Sequence, residues 1–145
     1  MTEKKIIQYL QKNINNKYFI GLLEFLSDSL YFPLNILVYF LIVLTINLNF
    51  ASSLFLLILI LINEIIVYSL KYAIRRERPY IKNPKLLKDK YKPISYSFPS
   101  AHASISLLFA LFIFNYYEYK IIFIYPLLVG LSRIYLGVHY PSDVL

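Results

Sequence analysis

Both histidines of the chain, His102 and His139, stand beside residues that could make an imidazole work. His139 is preceded by Ser132-Arg133 and followed four positions later by Asp143, and Pro141 makes residues 140–142 a turn into a further helix. Such a turn lets the carboxylate reach one ring nitrogen and fix the tautomer, leaving the other nitrogen to act as nucleophile or base. A His and an Asp solvated at an interface share this spacing, so the cluster does not decide alone. Arg133 adds weight, because it ends an otherwise apolar stretch, where an ionisable group is costly and usually paired or functional.

His102 closes the run Ser97-Phe98-Pro99-Ser100-Ala101-His102, directly ahead of an apolar stretch. Ser97 is a good helix cap and Pro99 suits a first turn. The amides of Ser100, Ala101 and His102 would then point outward at the positive end of the helix dipole, which attracts anions. The Ser100 hydroxyl is one more donor. An ordinary helix start that contains a His reads the same way.

The third cluster is Lys71, six residues, then Arg78-Pro79. In a continuous helix a separation of seven returns to the same face two turns on, so ammonium and guanidinium could converge on one anion. Cations at the end of an apolar span are also common as anchors. Three clusters of one chemical kind, in order and on one face, are much rarer than any of them singly.

The elements that would position these clusters are apolar. Hydrophobic residues make up 59% of the 145 residues and charged residues 16%, below the ~25% charge usual in soluble domains. Intrinsic disorder is excluded by that composition. The absence of Cys excludes disulfides, thiolate metal sites and a Cys nucleophile, and two histidines are too few for a zinc site built mainly of imidazoles. Residues 29–63 carry no charge, and polar residues near position 50 divide them into spans at about 30–46 and 51–70. Further apolar stretches run over 101–117 and 121–136, joined by a Tyr- and Lys-containing segment suited to a membrane interface. A soluble bundle would need more polar surface than remains.

The expectation is therefore an all-α, polytopic membrane bundle, one domain over 1–145, with about four transmembrane helices. Residues 1–29 read as an interfacial amphipathic helix or two short ones. Residues 71–98 form a hydrophilic loop that gathers nine Lys and Arg and carries much of the +7 charge. Counting crossings puts the N-terminus, this loop and the C-terminus on one membrane side. The positive-inside rule would make that side cytoplasmic, while a basic mouth for anionic substrates would explain the charge on either side. The membrane accounts for the charge without a nucleic-acid partner. Glu64, seven positions before Lys71, could pair with a cation of the cluster or tune Lys71, or simply pack against a polar neighbour. Arg75, Arg76 and the loop lysines read as anchors or electrostatic attractors.

The order K-x6-R-P, P-S-x-H and S-R-x5-H-x3-D, here Lys71 to Pro79, Pro99 to His102 and Ser132 to Asp143, strongly resembles the type 2 phosphatidic acid phosphatase (PAP2) superfamily. The resemblance implies that His139 attacks phosphorus to form a phosphohistidine, oriented by Asp143. It implies that Lys71, Arg78, Arg133, Ser100 and the Ala101 amide hold the phosphate oxygens. His102 would protonate the leaving oxygen and then activate water. No metal or other cofactor is implied, and activity should survive excess chelator. Ala101 departs from the family's usual Gly: it keeps the amide donor in a helical first turn, but would crowd the site if positive φ were needed. The family normally has another membrane helix after the third motif, so the natural protein is expected to continue beyond Leu145 into a final apolar helix.

A lipid phosphate or diphosphate in a multi-pass cell membrane is the implied substrate, with undecaprenyl diphosphate preferred and phosphatidate- or phosphatidylglycerophosphate-type lipids as the alternative. Two competitors remain. One is a non-catalytic membrane protein that binds lipid phosphates; the other, a vanadium haloperoxidase of the same superfamily, is disfavoured by the apolar spans.

Overall fold

The computed structural model describes residues 2–28, 39, 41, 50–89 and 92–145. The described residues form helices and connectors without a strand: α1 (Glu3–Asn13), α2 (Lys17–Asp28), α3 (Phe50–Ile74), α4 (Pro79–Lys82), α5 (Ala101–Tyr117), α6 (Ile124–Tyr135) and α7 (Pro141–Val144), with 3-10 turns at Pro84–Leu86 and Lys120–Phe123. The all-helical expectation holds for them. The span expected at 30–46 lies outside the described residues except for Tyr39 and Leu41.

The N-terminal segment is two helices. Asn16 separates them, its side-chain oxygen accepting from the amides of Tyr18 and Phe19 at 2.9 and 3.1 Å and so capping α2.

α3 has 25 residues, about 37 Å at 1.5 Å per residue, and is long and apolar enough to cross a membrane. Its burial pattern is inverted relative to a soluble helix. The inward stripe Ser53, Leu56, Ile60, Glu64, Val67, Lys71 follows the three-and-four spacing of one face and includes both charged groups, whereas outward residues such as Phe50 and Ile65 are apolar and about two-thirds exposed, at 67% and 68%. Water would penalise such an exterior, whereas hydrocarbon would accept it. α5 and α6 are shorter, at 17 and 12 residues. The stretch expected as a fourth span therefore begins as a 3-10 turn, and Pro126 sits in the first turn of α6, where its missing N–H costs nothing.

One apolar cluster joins Leu56 and Ile60 of α3 to Ile105, Phe109, Phe112 and Ile113 of α5 and Val129 of α6. Tyr39 stacks on Phe109 at 4.4 Å between ring centroids, and its hydroxyl meets that of Tyr125 at 2.6 Å. A second cluster seats Leu23 of α2 and Tyr80 of α4 against Tyr135, Leu136 and Val138. Beside this second cluster, at one end of the molecule, lie the C-terminal ends of α3 and α6 and the N-terminal end of α5.

Two backbone features shape that end. Arg75 takes a left-handed conformation, φ 53°, and stops α3, and Pro79 keeps Arg78 extended. The chain then re-enters α4, so the expected loop 71–98 begins with the last turn of α3 and contains further helical turns. Gly137, φ 73°, follows α6; a Cβ there would lie 1.9 Å from the Leu86 carbonyl oxygen, so only glycine fits.

Candidate active site

Lys71, Arg78, Ala101, His102, Arg133 and His139 line one cavity of about 130 Å³. Lys71 comes from α3, Arg78 from the turn after it, Ala101 and His102 from the first turn of α5, Arg133 from the last turn of α6, and His139 from the turn that follows. Lys71 and Arg78 converge, but not by helical periodicity: the left-handed residue at 75 and the extended Arg78 fold the chain back over the end of α3.

Lys71, Arg78 and Arg133 are buried to within 4% exposure. Such cations need acceptors. The Lys71 ammonium donates to the Tyr96 carbonyl at 2.8 Å. Arg78 donates to the Ser95 and Val138 carbonyls at 2.6 and 2.9 Å and to the Ser95 hydroxyl at 3.1 Å. Arg133 lies 3.6 Å from the equally buried carboxylate of Asp89. Three fixed cations around one cavity form a strong anion site.

His139 is held from both sides. Its Nδ1 faces Asp143 Oδ2 at 3.4 Å, a contact more electrostatic than a formed hydrogen bond, and its Nε2 lies 3.1 Å from the Arg78 guanidinium. The second ring nitrogen is therefore engaged by Arg78, where the sequence suggested it stood free. Burial, with Arg78, Arg133 and Lys71 nearby, outweighs Asp143 and pushes the imidazole below its usual range, keeping it neutral and able to attack. Burial alone would raise the Asp143 carboxyl, but the His139 ring, the Ser97 hydroxyl and the Tyr140 amide hold it below the usual carboxylate range.

Asp143 is clamped. Its Oδ2 accepts from the Ser97 hydroxyl and, at 2.7 Å, from the Tyr140 amide. Its Oδ1 accepts from Arg76 at 2.5 Å. Arg76 also pairs with Glu3 at 2.5 Å and lies over the Tyr140 ring at 4.4 Å. Arg76 is thus part of the site's support, a role its sequence position did not announce, because its partners lie 67 and 73 residues away. Asp89, the partner of Arg133, was missed for the same reason.

At the start of α5 the residues are reassigned. The peptide bond between Phe98 and Pro99 is cis, and the helix begins at Ala101 with Ser100, not Ser97, as its cap: the Ser100 hydroxyl accepts from the Ala103 amide at 3.5 Å. The Ser100 amide donates to the Asp143 carbonyl at 2.8 Å, so it is spent on structure, and Ser100 is not among the residues that line the cavity. The amides of Ala101 and His102 occupy the first helical positions, which have no acceptor within the helix. Ala101 is not among the described residues with positive φ, so the added methyl costs no backbone strain. Ser132 turns away, its hydroxyl donating to the Val129 carbonyl at 2.8 Å.

Glu64 also lines the cavity. It is 6% exposed, and neither carboxylate oxygen has a hydrogen-bond partner.

Comparison with known proteins agrees with this geometry. Over 75 residues, 52% of this chain and 41% of the relative, the chain is 39% identical to decaprenylphosphoryl-5-phosphoribose phosphatase of Mycobacterium tuberculosis, in each of two strains; the matched stretch thus spans well under half of those curated relatives. The fold resembles a crystal structure of a transmembrane PAP2 type phosphatidylglycerolphosphate phosphatase from Bacillus subtilis, with a TM-score of 0.71 and 23% identity over 98% of this chain and 75% of that one. Residues 52–145, which hold every motif residue named above, match the PAP2 superfamily, and the chain belongs to that superfamily.

Proposed function

We propose that this chain is a multi-pass membrane phosphatase that hydrolyses a lipid-borne phosphate through a phosphohistidine on His139. The observation that carries the proposal is the meeting of Lys71, Arg78 and Arg133 at a cavity into which a neutral, Asp143-backed imidazole opens. In this reading the phosphate takes over the Arg78 guanidinium from His139 Nε2. The freed nitrogen attacks phosphorus in line, a P–N bond forms, and the P–O bond to the lipid breaks. His102 gives its proton to the departing oxygen. The imidazolium that develops on His139 is stabilised by Asp143.

Water then attacks phosphorus, His102 takes a proton from it, the P–N bond breaks, and inorganic phosphate leaves. The fixed cations and the amides of Ala101 and His102 neutralise the charge building on the phosphoryl oxygens. Ser100 serves this arrangement as the cap that aims those amides.

A lipid substrate is supported by the apolar exterior of α3 and by the lipid-linked phosphates that the similar Mycobacterium tuberculosis and Bacillus subtilis phosphatases are named for. The test is phosphate release in detergent with EDTA from phosphatidylglycerophosphate, phosphatidate and undecaprenyl diphosphate, the last being the substrate preferred on sequence. Release that falls about 10³-fold or more in His139→Ala is expected. Binding of phosphate without release from any lipid would identify a binding protein instead.

A further inference from the structure

Glu64 is a buried carboxylate with no hydrogen-bond donor of its own in a cavity that it shares with Lys71, Arg78 and Arg133. Leaving such a group unsatisfied is expensive, and a fully burdened carboxylate accepts several hydrogen bonds. Among the described residues none supplies one, although Lys71 lies on the same face of α3: the Lys71 ammonium donates to Tyr96 instead. A ligand that enters the cavity can bring such donors.

Position limits what that ligand can be. Glu64 is seven residues before Lys71 on α3, about 10 Å along the axis, and on the side toward the apolar body of the helix. If the terminal phosphate sits among Lys71, Arg78 and Arg133, the part of a lipid that reaches Glu64 is the part joining that phosphate to the tail. A hydroxylated linker, such as glycerol or a pentose, brings O–H donors there. A diphosphate brings a second anionic phosphate, which the carboxylate repels. A diacylglycerol linker brings neither charge nor donor.

We infer that Glu64 is the specificity residue of the cavity, accepting hydrogen bonds from linker hydroxyls and selecting phosphate monoesters of polyol-bearing lipids over lipid diphosphates. The inference rests on the reading of the cavity as a phosphate site, and it ranks the substrates that reading leaves open.

The test separates binding from turnover. Glycerol 1-phosphate, methyl phosphate and methyl diphosphate are titrated calorimetrically, in detergent with EDTA, into the full chain carrying His139→Ala, which removes the attacking imidazole. Glycerol 1-phosphate should bind about tenfold more tightly than methyl phosphate, the scale of one charge-assisted hydrogen bond, and methyl diphosphate should bind more weakly than either. Adding Glu64→Ala should bring the glycerol-to-methyl ratio to about one and strengthen methyl diphosphate relative to methyl phosphate. Glu64→Gln, which keeps shape and an acceptor oxygen but removes the charge, should relieve the discrimination against diphosphate while retaining part of the glycerol preference.

Equal binding of glycerol and methyl phosphates with Glu64 in place overturns the inference without any variant. So does a loss of affinity in Glu64→Ala that is the same for all three ligands. If the native chain releases phosphate from no lipid while the Glu64-dependent ratio holds, the catalytic reading falls and the subsite stands. If it releases phosphate with no such ratio, the subsite falls and the catalytic reading stands.

Discussion

Arg78 bridges Ser95, the Val138 carbonyl and His139 Nε2. A lysine can replace its charge but not its planar fork, so Arg78→Lys should lower kcat/KM by about 10- to 100-fold in the phosphate-release assay. Ala101 carries the opposite expectation. It sits in an ordinary first helical turn, so Ala101→Gly should alter kcat by less than about threefold, while costing about 0.5–1 kcal/mol in denaturant unfolding. The motif residues were legible because their identities and spacing are themselves the signal. Glu64 was visible as an acid in an apolar run, but only burial without a partner gave it a role. Arg76 and Asp89 carried no local mark, since their partners are set by tertiary structure.

At the scale of elements, the helical character of α3 and α5 followed from apolar length, and the turn from α6 into α7 followed from Pro141. What the sequence hid was backbone geometry. Nothing in the composition around Arg75 announces a left-handed residue, and Ser97 and Ser100 are equally good caps until one of them is taken by Asp143. Gly137 is such a hidden constraint. Gly137→Ala would push a methyl into the Leu86 carbonyl at a positive φ, and a loss of about 2–4 kcal/mol is expected in denaturant unfolding. The N-terminal helix is tied to the same corner: Gln11 donates to the Leu86 and Tyr135 carbonyls at 2.8 and 2.6 Å, and Glu3 accepts from the Ser142 amide at 3.0 Å. Glu3→Ala should therefore loosen the Arg76 clamp and lower kcat several-fold with little change in KM, because it touches the support of Asp143 and not the cavity.

Residues 3–13, the segment after α3 and residues 139–145 meet at one end of the described structure. Its charge state makes stability depend on pH with a definite sign. His139 titrates lower folded than unfolded, so below about pH 6.5 the unfolded chain takes up a proton that the fold refuses, and stability falls. Asp143, also depressed, contributes stability that is present above its unfolded value of 3.8 and is lost as the pH falls through its lower folded value. Unfolding free energy should decline by up to about 1.4 kcal/mol per pH unit below pH 6, and His139→Gln should flatten that slope down to about pH 4.

The bond between Glu3 and Ser142 closes over 139 positions of sequence. Contacts of such separation carry a high loop-closure cost until the intervening chain is ordered. Compaction of α3, α5 and α6 can thus come before competence: a partly folded chain already holds its apolar core while Asp143 lacks the Arg76–Glu3 arm of its support. Time-resolved refolding should accordingly recover helical signal first and the capacity to release phosphate last.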